Sequence, residues 1–135
     1  MKILIIGASG FLGSSLFNFL KHTNDVIGTY NSKPMTNLVA LNLLDKRQIR
    51  NVLKLNNFDC LIICGGMTKP DICEVNKELA FKINVESIKY IKEMILTKII
   101  YFSSDYVFDG PTGDYDENDT PNPINYYGTT KLLVS

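Results

Sequence analysis

Tyr127 and Lys131 stand four residues apart in "YYGTTKLLVS". On a helix that spacing puts both side chains on one face, with Cβ atoms roughly 6 Å apart. A tyrosine with an ordinary pKa of about 10 is a poor acid–base group at neutral pH, and a neighbouring ammonium favours the phenolate and pulls the value down. The pair alone is more often a surface coincidence than a proton-delivery device. A hydroxyl able to polarise a carbonyl would change that, and "YFSSDYVFDG" offers Ser104, with Ser103 as the alternative, at the end of an apolar run.

A second chemical feature is "IIGASGFLG", in which Gly7, Gly10 and Gly13 form G-x-x-G-x-x-G directly after a strand-like run and at the opening of a helix-like one. Glycine at the turn lets the chain reverse tightly. Glycine at the helix start lets backbone amides approach a pyrophosphate, whose negative charge the helix dipole favours. Gly7, Ser9, Gly10, Phe11, Leu12 and Gly13 are therefore candidates for dinucleotide binding. At the end of the second strand, where an acidic residue would accept from a ribose 2′-hydroxyl, the chain has Thr29, Tyr30, Asn31 and Ser32 followed by Lys33. An uncharged stretch ending in a cation favours NADP, with NAD the other candidate.

The elements that must position these residues follow a βαβ rhythm. Strands are expected over 2–7, 25–30, 38–43, 59–65 and 98–104. A first helix is expected over 10–22 with Phe11, Leu12, Leu16, Phe19 and Leu20 near one stripe. Asp45 caps a second through Ile49, Val52 and Leu53. A long helical segment from Pro70 to about Leu96 carries Ile72, Val75, Leu79, Ile83, Ile88, Ile91 and Ile95, with a break near its middle. Residues 109–123, dense in Gly, Pro, Asp and Asn, form a loop, and a last helix begins near Asn125. The fold class is α/β: a Rossmann-like, doubly wound parallel sheet of about five strands, forming one NAD(P)-binding domain over 1–135.

Composition narrows the function. In 135 residues, 14 basic side chains balance 14 acidic ones, so no basic nucleic-acid surface is indicated. The run in "MKILIIG" is too short for a signal-peptide core or for the ~20 apolar residues that span a bilayer, so a cytoplasmic protein with no membrane partner is expected. Cys60, Cys64 and Cys73 make an odd count with no Cys-x-x-Cys pair, which suits reduced, buried thiols. His22 is the only histidine, and the acidic run "DYDEND" has Asp119 where a calcium loop needs glycine, so no metal site is expected.

"GASGFLG", "ELAFKINV", "SSDYVFDG" and "TPNPINYYGTTKL" together resemble stretches of the extended short-chain dehydrogenase/reductases, and within them the dTDP-4-dehydrorhamnose reductase group. "CGGMTKPDICE" is at least as similar to a branch of that group, the regulatory beta subunit of methionine adenosyltransferase. The resemblance implies an NADP-dependent reductase of a nucleotide-linked 4-keto-6-deoxy sugar. Tyr127 would give the proton, Lys131 would bind the nicotinamide ribose and lower the Tyr127 pKa, and Ser104 would hydrogen-bond the reacting oxygen. Asn84 matches an asparagine that supports the active-site helix, although a mid-helix Asn can equally be a structural amide.

Asn42 and Leu43 fall where the group often has an acidic residue near adenine, and Cys64, Gly65 and Gly66 would lie beside the cofactor. Members of the group are about twice as long. The resemblance thus implies the cofactor half, five strands in the order 3-2-1-4-5, ending within the active-site helix. It is either a fragment of a longer reading frame or completed by another chain, with a homo-oligomer the other candidate partner. The alternative is a non-catalytic NAD(P)-binding module or regulatory subunit.

Overall fold

The computed structural model describes all of residues 1–135. Five parallel strands, β1 (Lys2–Ile6), β2 (Asp25–Tyr30), β3 (Leu38–Ala40), β4 (Cys60–Ile63) and β5 (Lys98–Tyr101), form one sheet in the order β3-β2-β1-β4-β5. Helices α1 (Phe11–Leu20), α2 (Lys46–Leu53), α3 (Pro70–Val75), α4 (Lys77–Phe81), α5 (Ser87–Met94) and α6 (Tyr126–Val134) complete the expected Rossmann-like α/β architecture. No helix is long and apolar enough to cross a membrane.

The chain packs as two compact units. One comprises residues 1–66 and 90–102, the other 67–89 and 103–135. The first holds the whole sheet. Its centre is β1, where Leu4 and Ile5 are fully buried, paired to β2 through Leu4↔Ile27 and to β4 through Leu4↔Leu61. A strand flanked on both sides by parallel neighbours needs apolar side chains on both faces, which is why "ILII" and "LII" run without alternation. Strands end earlier than the apolar runs suggest: β1 stops before Gly7, which adopts φ +86°, and β3 spans three residues, after which Leu41 is buried. Asp45 caps α2 as expected, its Oδ1 accepting from the amides of Arg47 at 2.9 Å and Gln48 at 3.1 Å.

Two apolar stripes differ from expectation. On α1 the inward residues are Gly13, Leu16, Phe17 and Leu20, whereas Phe11 and Phe19 are 95% and 77% exposed. The helix is turned because Gly13 has to face the β1 turn. In the second unit Ile72, Val75 and Leu79 point outward, and Cys73 and Ala80 are buried in their place. The cause is phase. Asn76 (φ −126°, ψ 55°) breaks the helix between α3 and α4, and a π turn over Lys82–Glu86 then adds a residue to one turn, rotating the face by about 100°. Beyond that turn the expected Ile88 and Ile91 are buried.

None of Cys60, Cys64 and Cys73 forms a disulfide, and no group of three or more His, Cys, Asp or Glu side chains could hold a metal ion.

Candidate functional site

The glycine turn in the first unit is built by close backbone approach. A Cβ on Gly7 would sit 2.5 Å from the Gly65 nitrogen, and one on Gly13 would sit 2.0 Å from the Gly7 carbonyl oxygen. Both positions therefore require glycine for packing. Gly10 is different: a Cβ there would meet only the Gly7 oxygen, at 3.5 Å. The protein itself leaves that space open, in front of an α1 N-terminus that has no side-chain cap and no acid in its first turn. Such an end leaves its first amides to water or to an external anion, so Ser9, Gly10, Phe11 and Leu12 are the residues that could hold a pyrophosphate.

Two neighbours hold the turn in place. The buried Thr29 hydroxyl accepts from the Gly7 amide at 3.1 Å, and the Ile6 carbonyl accepts from both Cys64 and Gly65, at 2.8 and 3.0 Å. Thr29 is thus occupied in supporting the turn, a role hidden in sequence because residues 7 and 29 become neighbours only through β1–β2 pairing. Tyr30 ends β2, with Asn31, Ser32 and Lys33 exposed after it. Asn42 is exposed, and its Oδ1 accepts from the Leu44 amide at 2.9 Å. Leu43 is half-buried, Cys64 and Gly65 likewise, and Gly66 is exposed at φ +149°.

Ser104, Tyr127, Lys131 and Asn84 all fall in the second unit. Ser104 lies past the end of β5, where it caps a 3-10 turn over Asp105–Val107 by accepting from the Tyr106 amide at 3.2 Å. Its hydroxyl donates to Asp105 Oδ1 at 3.2 Å and acts on the Tyr127 phenol to lower its titration. The Tyr127 ring is 7% exposed, and Tyr106 meets it edge-on with centroids 5.7 Å apart. Lys131 places its Nζ 5.8 Å from the Tyr127 ring centroid. The helical spacing therefore does bring tyrosine and lysine together, over the ring face.

The electrostatics run against the expected direction. Burial raises the Tyr127 phenol above its ordinary value and outweighs the Ser104 hydroxyl, which lowers it, while the charge of Asp105 adds to the rise. In this state the phenol stays protonated at neutral pH, as a proton donor must.

Helix α6 is anchored at its start. Asn125 Oδ1 accepts from the Gly128 amide at 2.8 Å, and Glu74 Oε2 accepts from the Tyr126 amide at 2.9 Å. A Cβ on Gly128 would lie 2.0 Å from the Tyr106 carbonyl oxygen, so this glycine lets the helix approach the Ser104 turn. Asn84, 4% exposed in the π turn, pairs with the Met67 backbone in both directions, at 2.8 and 2.9 Å, and its Nδ2 also donates to Thr130 Oγ1 at 3.1 Å. Asn84 thus ties the Met67 backbone to α6. Glu74, Gly128 and Thr130 lie outside the sequence expectations; the "YG" after Asn125 was the available signal for Gly128.

A groove of about 630 Å³ opens beside Ser104, lined by Asp105, Phe108, Tyr115, Glu117 and Leu132 among others. The 109–123 loop that forms its wall is tied to Asp109, whose carboxylate accepts from Tyr115 Oη at 2.5 Å and Asn122 Nδ2 at 3.1 Å, while Tyr115 stacks on Phe108 at 4.7 Å. These bonds hold the Asp109 carboxyl below its ordinary range. The linkage follows from that depression: the tie is intact above the ordinary aspartate value of about 4 and weakens as pH falls through the lower folded value. Hydrogen exchange in 109–123 should be constant from neutral pH down to about 5, after correction for intrinsic rates, and accelerate below about 4. Asp109→Ala should show the fast rate at neutral pH.

Comparison with known proteins places this geometry. A model of the RmlD substrate binding domain family matches residues 1–134. Methionine adenosyltransferase 2 subunit beta of Danio rerio is 35% identical over 133 residues, covering 97% of this chain and 41% of its own length. The crystal structure of a hypothetical dTDP-4-dehydrorhamnose reductase from Sulfolobus tokodaii superimposes with a TM-score of 0.92 at 42% identity, over 99% of this chain and 50% of that one. The dTDP-4-dehydrorhamnose reductase of Bacillus anthracis, in complex with NADP, matches with a TM-score of 0.84 at 30% identity, over 98% and 47%. The chain thus spans about half the length of these relatives, or less.

Proposed function

We propose, from the premise that this chain belongs to the RmlD substrate binding domain family, that it takes part in the NADP-dependent reduction of a nucleotide-linked 4-keto-6-deoxy sugar in the cytoplasm. The observation that carries the reading is the Tyr127 phenol: buried, kept protonated, and faced by Lys131. NADPH, when bound, supplies the hydride that goes to the carbonyl carbon. Tyr127 gives its proton to the keto oxygen, Ser104 donates to that same oxygen, and the Lys131 ammonium stabilises the phenolate left behind. Gly7 to Gly13 hold the pyrophosphate, and Lys33 meets the 2′-phosphate. Residues 1–135 serve as the NAD(P)-binding part, with the sugar pocket completed by further protein, a second copy or another chain.

Turnover tests it directly: incubation with 4-keto-6-deoxy sugar nucleotides should consume NADPH, and no consumption with any of them sinks the reductase reading. For the cofactor, calorimetric titration should give tighter binding of NADPH than NADH. Lys33→Glu should cost NADPH about tenfold in affinity, the equivalent of one charge-assisted hydrogen bond, with NADH little changed. Comparable affinities in the parent chain would overturn the role of Lys33.

The similarity to a beta subunit of methionine adenosyltransferase favours a second reading, an NAD(P)-binding regulatory module that works by association. It predicts cofactor binding without turnover, and specific association with a synthetase-type catalytic chain that Tyr127→Phe leaves untouched.

A further inference from the structure

We infer that Thr130 is a positioning residue for Tyr127, acting through its backbone. Thr130 is fully buried in α6, one residue before Lys131. Its Oγ1 accepts from Asn84 Nδ2 at 3.1 Å and donates to the Tyr127 carbonyl at 2.7 Å. Asn84 in turn spends its remaining Nδ2 hydrogen on the Met67 carbonyl at 2.9 Å and its Oδ1 on the Met67 amide at 2.8 Å. Every donor of the pair is used, and no buried side-chain nitrogen or oxygen in the chain lacks a partner. A network satisfied in this way is rigid, because any displacement strands a buried polar atom.

The location gives that rigidity a purpose. A threonine inside a helix ordinarily turns its hydroxyl back to a carbonyl of the preceding turn at slight cost to the helix. Here the carbonyl belongs to Tyr127, and the hydroxyl is held from the other side by an amide on a π turn, a local rearrangement that by itself weakens the α4–α5 rod. The π turn brings Asn84 inward, Asn84 fixes Thr130, and Thr130 fixes the Tyr127 main chain. The consequence falls on the phenol, whose position relative to Ser104 depends on where the ring starts from. The inference rests on the reading of Tyr127 as the acid, but it is measurable without turnover.

The test uses the full chain labelled with 3-fluorotyrosine, whose ring fluorine lowers the phenol's titration into a range the fold tolerates, with Tyr127→Phe assigning the resonance. The Ser104 hydroxyl is the influence that lowers the Tyr127 value, so a variant that loosens the ring's position relative to it should raise the midpoint. Thr130→Val keeps the shape and removes the hydroxyl, and should raise the midpoint by about half a unit, the size of a partly lost hydrogen bond. Thr130→Ser keeps the hydroxyl and should leave it in place. In a Ser104→Ala background, Thr130→Val should add nothing, which a merely structural role would not produce.

No shift in Thr130→Val, an equal shift in Thr130→Ser, or an undiminished shift in the Ser104→Ala background would each overturn the inference. Should the valine variant fail to fold, Thr130→Cys, a weak donor of similar size, supplies the same comparison. A chain that reduces no keto sugar, yet whose titration follows Thr130, rejects the reductase reading and retains this one.

Discussion

Tyr127→Phe is expected to slow keto-sugar reduction by a factor of about 10²–10⁴, the range contributed by one general acid, with the fold retained. Only the hydroxyl is removed. The ring keeps its burial and its edge-on contact with Tyr106. NADPH affinity should change little, so the loss appears in kcat. Single-turnover rates of NADPH oxidation by the parent and variant decide it, and equal rates would remove Tyr127 from the chemistry. The same group sets an alkaline limit. Because burial raises the folded value, the stability linked to the neutral phenol is complete below the ordinary value of about 10 and is lost as pH rises through the higher folded value. Thermal unfolding of the parent should therefore show a decline in that alkaline range which Tyr127→Phe lacks.

Gly13→Ala should be the most damaging small substitution in the first unit. Its Cβ would lie 2.0 Å from the Gly7 oxygen and 2.8 Å from the Gly7 carbonyl carbon, both backbone atoms of a turn already fixed by the Thr29 bond. Neither neighbour is a flexible side chain that can move aside. Relief requires α1 to back away from β1, which opens the packing of Leu16, Phe17 and Leu20 against Ile3, Ile5 and Cys60. We expect a loss of about 3 kcal/mol or more, at the upper end of overpacking costs, and no measurable dinucleotide binding. Gly10→Ala is the internal comparison. With only an ordinary 3.5 Å contact waiting for its Cβ, it should leave the melting temperature nearly unchanged while weakening NADPH binding, since the methyl occupies space open to a ligand. Paired melting curves and cofactor titrations check both variants, and equal destabilisation of the two would refute the distinction.

The strand order, the glycine turn, the Asp45 cap, the loop over 109–123 and the start of α6 at Asn125 were legible in the sequence. Apart from the strand order, which the family resemblance implied, each follows from interactions within a few residues: an apolar run between turn signals, a glycine at the fold-back, a side chain reaching amides two or three positions on. The spacing of Tyr127 and Lys131 belongs to the same class, because a helix alone sets which residues share a face.

What only the tertiary structure decided depended on phase and on distance along the chain. The α1 stripe was misplaced because Gly13 must meet Gly7, and the Ile72–Val75–Leu79 face was misplaced because Asn76 and the π turn shift the helical phase where the sequence carries no period to announce it. Thr29 supports Gly7 from 22 residues away, Thr130 bonds Asn84 from 46, and Glu74 caps Tyr126 from 52. The direction of the Tyr127 titration was decided the same way. Desolvation is a property of everything packed around the ring, and it outweighs the Ser104 hydroxyl that lowers the value.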